Sequence, residues 1–308
     1  MDMNLPIALL ESPASVPGRA QSDRIEYEFS SQFEAWFDKS QHAFWSRWRP
    51  HPRPCFNPGL LRDIRSYYDH ITATGGTIVD GADAYPIDYI VLASGIPGVF
   101  NLGGDLDLFK SLIQSQDRDG MTTYGRACVD VLHRNYSAHR LHATTISLVQ
   151  GEALGGGFEA ALSSDVIIAK RSARFGFPEI LFNLFPGMGA YSFLDRKIGQ
   201  QATERLLTSG AIHSAEDMRE MGVVDLVVDD GTGEAAVADF IKQRTRSRNG
   251  HAAIARARRR VHGSDFEELL DIVRIWVDAA LRLNPRDLKL MQRLVSRQNG
   301  IGESAQVH

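Results

Sequence analysis

Two glutamates stand where acid–base chemistry beside a carbonyl would need them. Glu159 follows two residues after a glycine triplet, Gly155-Gly156-Gly157, and Glu179 lies twenty residues further on, after Phe177-Pro178. The glycines leave backbone amides uncovered by side chains. A helix starting there points unsatisfied N–H groups and the positive end of its dipole at whatever lies in front. A developing oxyanion is the chemically interesting occupant. One amide site and two carboxylates are the parts needed to add or remove water beside a thioester carbonyl. The glycines alone also read as a tight turn that packs helix on strand.

The elements that must hold these groups are legible around them. Residues 144–149 are apolar and partly β-branched, so they read as a buried strand running into the triplet, and residues 89–93 read as another. The second run leads through Ser94-Gly95-Ile96-Pro97-Gly98 into Phe100-Asn101-Leu102-Gly103-Gly104-Asp105-Leu106. That is again strand, glycine turn and helix, with Asp105 as the N-cap. Two such turns after two buried strands bring two backbone amides together.

These motifs carry a resemblance. Residues 100–106, the phrase Gly155-Gly156-Gly157-Phe158-Glu159, and Phe177-Pro178-Glu179 with Pro186-Gly187-Met188-Gly189 resemble, in order, three motifs of the crotonase (enoyl-CoA hydratase/isomerase) superfamily. The resemblance implies an α/β fold: a spiral of ββα turns with a C-terminal helical region. It also implies that the backbone N–H groups of Leu102 and Gly156 form an oxyanion hole. Glu159 and Glu179 match the hydratase glutamate pair. Glu179 would remove the α-proton and Glu159 would donate a proton to the departing 3-hydroxyl. Within the superfamily, residues 155–162, 178–192, 52–57 and 275–278 resemble the bacterial diffusible-signal-factor (DSF) synthases. That family implies dehydration of a 3-hydroxyacyl-acyl carrier protein to a cis-2-enoyl chain. A thioesterase step, with either glutamate activating water, then frees the fatty acid as a quorum-sensing signal. An enoyl-CoA hydratase acting on coenzyme A thioesters, and a protein whose main role is to bind a sensor-kinase receiver domain, are the alternatives.

The bounds agree with such an enzyme. The 308-residue chain is long enough for one large core plus an appendage. A net charge of −4 argues against a general nucleic-acid binder. No apolar run approaches the roughly 20 residues of a membrane span. Cys55 and Cys128 form no spaced motif, and the start lacks a basic segment, so a reduced cytoplasmic setting and no metal are expected. No cofactor is expected beyond the phosphopantetheine or coenzyme A that carries the substrate.

Along the chain, residues 1–24 read as a flexible segment, 25–229 as the α/β core and 230–308 as helices. By resemblance those helices cover the active site and build a homotrimer or dimer of trimers. Gly103, Gly155, Gly157 and Gly187 are expected at the substrate. Leu181, Phe182, Phe185 and Met188, straight after Glu179, are apolar candidates for an acyl tunnel. Trp276 sits on the apolar pattern of a late helix, as core or, by resemblance, as pocket wall. Arg244, Arg246, Arg248, Arg256, Arg258, Arg259 and Arg260 make a basic stretch. It reads either as a solvated helix face or as a docking face for an acidic acyl carrier protein or for coenzyme A phosphates. Residues 71–85 carry no assignment.

Overall fold

The computed structural model describes residues 23–305. The expectation for residues 1–24 therefore falls outside the described residues, apart from Asp23 and Arg24. The chain begins with β1 (Arg24–Glu28), β2 (Phe33–Asp38) and β3 (Ala43–Trp48), followed by α1 (Pro58–Ala73). Asn57 caps α1 by accepting from the Leu60 N–H, and Pro58 occupies a first-turn position where no donor is needed. A small hairpin of β4 (Thr77–Asp80) and β5 (Asp83–Pro86) then fills part of the stretch that had no assignment.

From here the chain repeats one unit: a strand in a large sheet, a short strand in a small sheet, and a helix. The first turn is β6 (Tyr89–Ser94), β7 (Gly98–Asn101) and α2 (Leu106–Gln114), with α3 (Arg118–Tyr136) returning the chain. The second is β8 (Thr144–Val149), β9 (Gly151–Leu154) and α4 (Gly156–Leu162). The third is β10 (Val166–Lys170), β11 (Arg174–Gly176), α5 (Ala190–Ile198) and α6 (Gln200–Ser209). Then β12 (Ile212–Ser214), α7 (Ala215–Glu220) and β13 (Leu226–Val228) close the series. The expected ββα spiral is therefore present.

The large sheet runs β1-β2-β3-β6-β8-β10-β13, parallel from β3 onward. The small sheet runs β12-β11-β9-β7, with β11, β9 and β7 parallel. β6 and β10, inside the parallel part of the large sheet, are near-continuous apolar runs because both faces are covered, whereas the edge strand β1 alternates buried and exposed residues. Ile146, Leu148 and Ile168 point to one face, beneath Val237 and Ile241 of α8 (Gly233–Arg244). The opposite face meets α1, α3 and α4 in the main core. Each such fully buried side chain contributes about 1.5–3 kcal/mol.

Three more helices follow: α9 (Arg248–His262), α10 (Phe266–Ala280) and α11 (Pro285–Ala305). α10 packs along α3, and α11 against α2 and the short 3-10 helix Pro178–Phe182. The basic stretch at α8 and α9 is partly used within the chain. Arg258 and Arg259 both pair with the buried Asp165, Arg248 pairs with Asp88, and Arg244 stacks on Phe240. Among the described residues, no helix is long and apolar enough to cross a membrane.

Candidate active site

The small sheet explains how motifs far apart in sequence meet. β7, β9 and β11 are parallel neighbours, so their C-terminal ends lie side by side. The chain leaves β7 into residues 102–105, β9 into the glycine triplet and Glu159, and β11 into Phe177-Pro178-Glu179. One edge of a small sheet thus collects both glycine turns and both glutamates.

The two turns touch. A Cβ on Gly103 would stand 3.0 Å from the Gly156 nitrogen, and one on Gly157 would stand 2.0 Å from the Asn101 carbonyl oxygen. Gly103 and Gly157 therefore let the turns approach each other, and neither is in the cavity lining. Gly156 opens α4, so its N–H has no acceptor within the helix. The expected second donor needs correction. The Leu102 N–H donates to the Pro54 carbonyl at 2.8 Å, and the Gly103 N–H to Asn101 Oδ1 at 2.8 Å. Leu102 and Gly104 of this turn both line the cavity; Gly104 has only backbone to present, and its nitrogen is 3.5 Å from where a Gly156 Cβ would stand.

Glu159 lies in the first turn of α4 and is 1% exposed. Its Oε1 accepts from the Met188 N–H at 2.8 Å and the Ala190 N–H at 2.9 Å. Burial pushes its carboxyl up to about 7, against the pull of those two amides. Glu179 is the second residue of the 3-10 helix Pro178–Phe182. The residue as a whole is partly exposed, but its Oε2 is enclosed and has no hydrogen-bond partner. Its Oε1 lies so close to Gly155 that a Cβ there would stand 2.3 Å away. Gly155, with φ +51, is the residue that permits this approach. Burial, and then the nearby Glu159 charge, push the Glu179 carboxyl up to about 8. Two neighbouring carboxyls raised into the neutral range share protons as a unit and together retain one near neutrality.

The cavity around the pair is otherwise mostly apolar. Gly155, Gly156, Phe182, Gly187, Met188 and Trp276 line it, as expected. A Cβ on Gly187 would stand 2.3 Å from Trp276 Cγ, so the missing side chain admits the indole. Besides Gly103 and Gly157, two of the expected apolar members do not line it. In a 3-10 helix positions three apart share a face, so Phe182 aligns with Glu179 while Leu181 turns outward and is 56% exposed. Asn183, in the left-handed region, then redirects the chain, and Phe185 packs on the core outside the lining. Sequence reasoning missed Leu106 and Phe109 of α2, Leu154 of β9, Leu184, and Leu294 of α11. Leu106 and Phe109 follow the first motif directly, and that adjacency was the available signal. No group of three or more His, Cys, Asp or Glu among the described residues is placed to hold a metal ion.

This is a crotonase fold with paired glutamates at the junction of its two glycine turns. Residues 83–261 match the enoyl-CoA hydratase/isomerase family, and the chain belongs to it. It is 35% identical to the probable enoyl-CoA hydratase echA8 of Mycobacterium leprae over 162 residues, 51% of this chain and 59% of that protein. It is 39% identical to the fatty acid oxidation complex subunit alpha of Pseudomonas syringae pv. tomato over 195 residues, 61% of this chain and 24% of that one. The chain thus spans less than two thirds of the length of these curated relatives. In fold it is similar to human mitochondrial delta3-delta2-enoyl-CoA isomerase, with a TM-score of 0.69 and 17% identity over 87% of this chain and 98% of that one. It is also similar to Pseudomonas aeruginosa DspI, with a TM-score of 0.60 and 21% identity over 79% of this chain and 93% of that one.

Proposed function

We propose that this protein removes water from a 3-hydroxyacyl thioester on an acyl carrier protein and then cleaves the thioester, releasing a cis-2-unsaturated fatty acid of the DSF type. The observation that carries the dehydration is the pair of enclosed carboxyls beside touching glycine turns, in an otherwise apolar cavity. The finer reading is supported by the likeness of residues 178–192, 52–57 and 275–278 to the DSF-synthase family. The alternative, hydration and dehydration of coenzyme A thioesters without cleavage, is favoured by the curated relative named as an enoyl-CoA hydratase.

In the proposed reaction the thioester oxygen accepts from the Gly156 N–H and from the amide of Gly104. Glu179 lies against Gly155, next to that oxyanion position, so it is the carboxylate that reaches the α-carbon. It takes the α-proton, and the electron pair moves into an enolate whose oxygen the amides stabilise. The enolate re-forms the carbonyl and the C2–C3 double bond as the C3–O bond breaks. Glu159 gives its proton to the departing hydroxyl, which leaves as water. Glu179 ends protonated and Glu159 ionised, and one proton transfer resets the pair. For hydrolysis, an ionised glutamate takes a proton from water as the oxygen attacks the carbonyl carbon. The tetrahedral oxyanion uses the same amides, and the pantetheine sulfur leaves as a thiol after protonation.

The two amides at Glu159 favour the anion there and the proton on Glu179, opposite to the form this sequence starts from. Both carboxyls are raised toward the neutral range and share protons as a unit, so a hydrogen bond from a bound substrate hydroxyl to one of them can redistribute the proton between them.

The test is incubation with 3-hydroxydodecanoyl-acyl carrier protein and, separately, its coenzyme A thioester, with chromatography and mass spectrometry of the products. Free cis-2-dodecenoic acid is the expected product. An enoyl product still attached to its carrier, with no free acid, selects the hydratase alternative. No turnover of either thioester contradicts both.

A further inference from the structure

The segment Pro52-Arg53-Pro54-Cys55-Phe56 has no part in the chemistry above, yet Arg53, Pro54 and Phe56 tie it to the first glycine turn and the helix start that follows. Pro54 O accepts from the Leu102 N–H at 2.8 Å, and the Phe56 N–H donates to Gly103 O at 2.8 Å. Phe56 also bridges to Gly104 as an isolated parallel pair. The Tyr124 hydroxyl joins the two strips, donating to Phe56 O at 2.5 Å and accepting from the Asp105 N–H at 3.2 Å. Beyond the backbone, the Arg53 guanidinium spans two carboxylates. Its Nη2 donates to Asp105 Oδ1 at 2.8 Å and its Nη1 to Asp107. Asp105 is itself the N-cap of α2, accepting from the Leu108 N–H at 3.2 Å. Both guanidinium amino groups are committed to carboxylates within the chain, so this arginine is built into a framework rather than offered to a substrate phosphate.

We infer that Arg53 is a positioning residue for the oxyanion site: it fixes the strap at 52–56 against residues 102–105 and so sets where the Gly104 amide points. The inference rests on the proposed thioester chemistry. The physical need is specific. A backbone donor stabilises an oxyanion only when its placement is right to a fraction of an ångström, and a shift of about 1 Å costs on the order of 100-fold in rate. The glycines of this turn supply freedom to approach but no rigidity of their own. Rigidity has to be imposed from outside, and the two-carboxylate grip of a planar guanidinium supplies it in a way that a lysine ammonium, a point charge, does not. The hydrogen bonds of the Glu159 carboxyl run to Met188 and Ala190 and not to the strap, so loosening the strap should weaken the amide site while leaving the proton-transfer pair in place.

The experiment has two readouts. The first is the carbonyl stretching frequency of a bound, non-reacting acyl thioester, measured by Raman difference spectroscopy, which reports hydrogen bonding to the thioester oxygen and needs binding but no turnover. The second is kcat and KM for dehydration. Arg53→Ala is expected to lose most of the red shift of the bound carbonyl and to lower kcat about 10- to 100-fold, with KM within threefold of the parent. Arg53→Lys is expected to resemble Arg53→Ala in both readouts while keeping more of the thermal stability. Tyr124→Phe, which removes only the hydroxyl joining the strips, keeps the test open if Arg53→Ala does not fold, and should move both readouts in the same direction. An unchanged carbonyl shift in folded variants overturns the positioning role, whatever happens to rate. A parent protein that binds the thioester with no shift contradicts the oxyanion site itself.

Discussion

Glu159 and Glu179 are the same residue type, both have an enclosed carboxyl and both are raised toward neutrality, yet their surroundings are opposite. Glu159 sits in the first turn of α4, with one oxygen held by two amides from the segment leading into α5. Glu179 sits on a short 3-10 helix, with one oxygen against Gly155 and the other enclosed without a hydrogen bond. One carboxyl is anchored and the other is only aimed. The difference teaches that identical side chains acquire different tasks from the element that presents them. In the proposed reaction the aimed group, against Gly155, takes the α-proton. The anchored group gives its proton to the leaving hydroxyl.

The comparison is sharpened by breaking each side in turn. Glu179→Gln is expected to have the largest effect, a loss of about 1,000-fold in dehydration, because it removes the base that takes the α-proton in the proposed reaction. Steady-state kinetics with thermal melts to confirm the fold checks it. Gly155→Ala attacks the aim of Glu179 without touching its chemistry. The new Cβ would fall 2.3 Å from Glu179 Oε1 at a φ of +51, so a loss of about 100-fold is expected, read as kcat. Glu159→Gln should also cost about 100-fold in overall dehydration. The Gln oxygen can still accept from Met188 and Ala190, so the fold and the position of the 186–190 segment should persist.

The smallest effect is on stability and follows from linkage. Both carboxyls have folded values, about 7 and about 8, above the ordinary 4.5, so between these limits the folded state holds protons that the unfolded chain has released. The stabilisation they contribute is fully present below about pH 4.5 and is lost as pH rises through about 7 and 8. Urea midpoints at pH 6 and pH 9 should therefore fall with pH in the parent. The fall should be smaller in Glu159→Gln/Glu179→Gln. An equal fall in both would mean that the pair is not buried as described.

Much of this arrangement is legible in the sequence, for physical reasons that also mark where legibility stops. The strands Tyr89–Ser94 and Thr144–Val149 announce themselves because both faces are covered and most positions are apolar or β-branched. The cap at Asp105 is readable because capping is a local event. The strands Gly98–Asn101 and Gly151–Leu154 are not, because four residues carry no period and their pairing is with distant segments. The Leu102 amide shows the same limit: its partner, the Pro54 carbonyl, is 48 positions away. The pocket wall was only half readable. A residue facing the cavity and one facing the core are both apolar, so Leu181 and Phe185 could not be separated from Phe182 without the geometry of the 3-10 helix. Leu294 reaches the cavity from a helix more than a hundred positions beyond Glu179, and no local signal connects them.

The division of labour between the two glutamates is tested most directly by hydrogen exchange at the α-carbon. A 3-hydroxyacyl thioester is incubated in D2O with each single Gln variant, and deuterium at C2 is measured by mass spectrometry. The account predicts that Glu159→Gln still exchanges the C2 proton while eliminating little water, because the aimed carboxylate remains, and that Glu179→Gln exchanges none. Exchange that persists in Glu179→Gln and disappears in Glu159→Gln would contradict the assignment and make the anchored carboxylate the base.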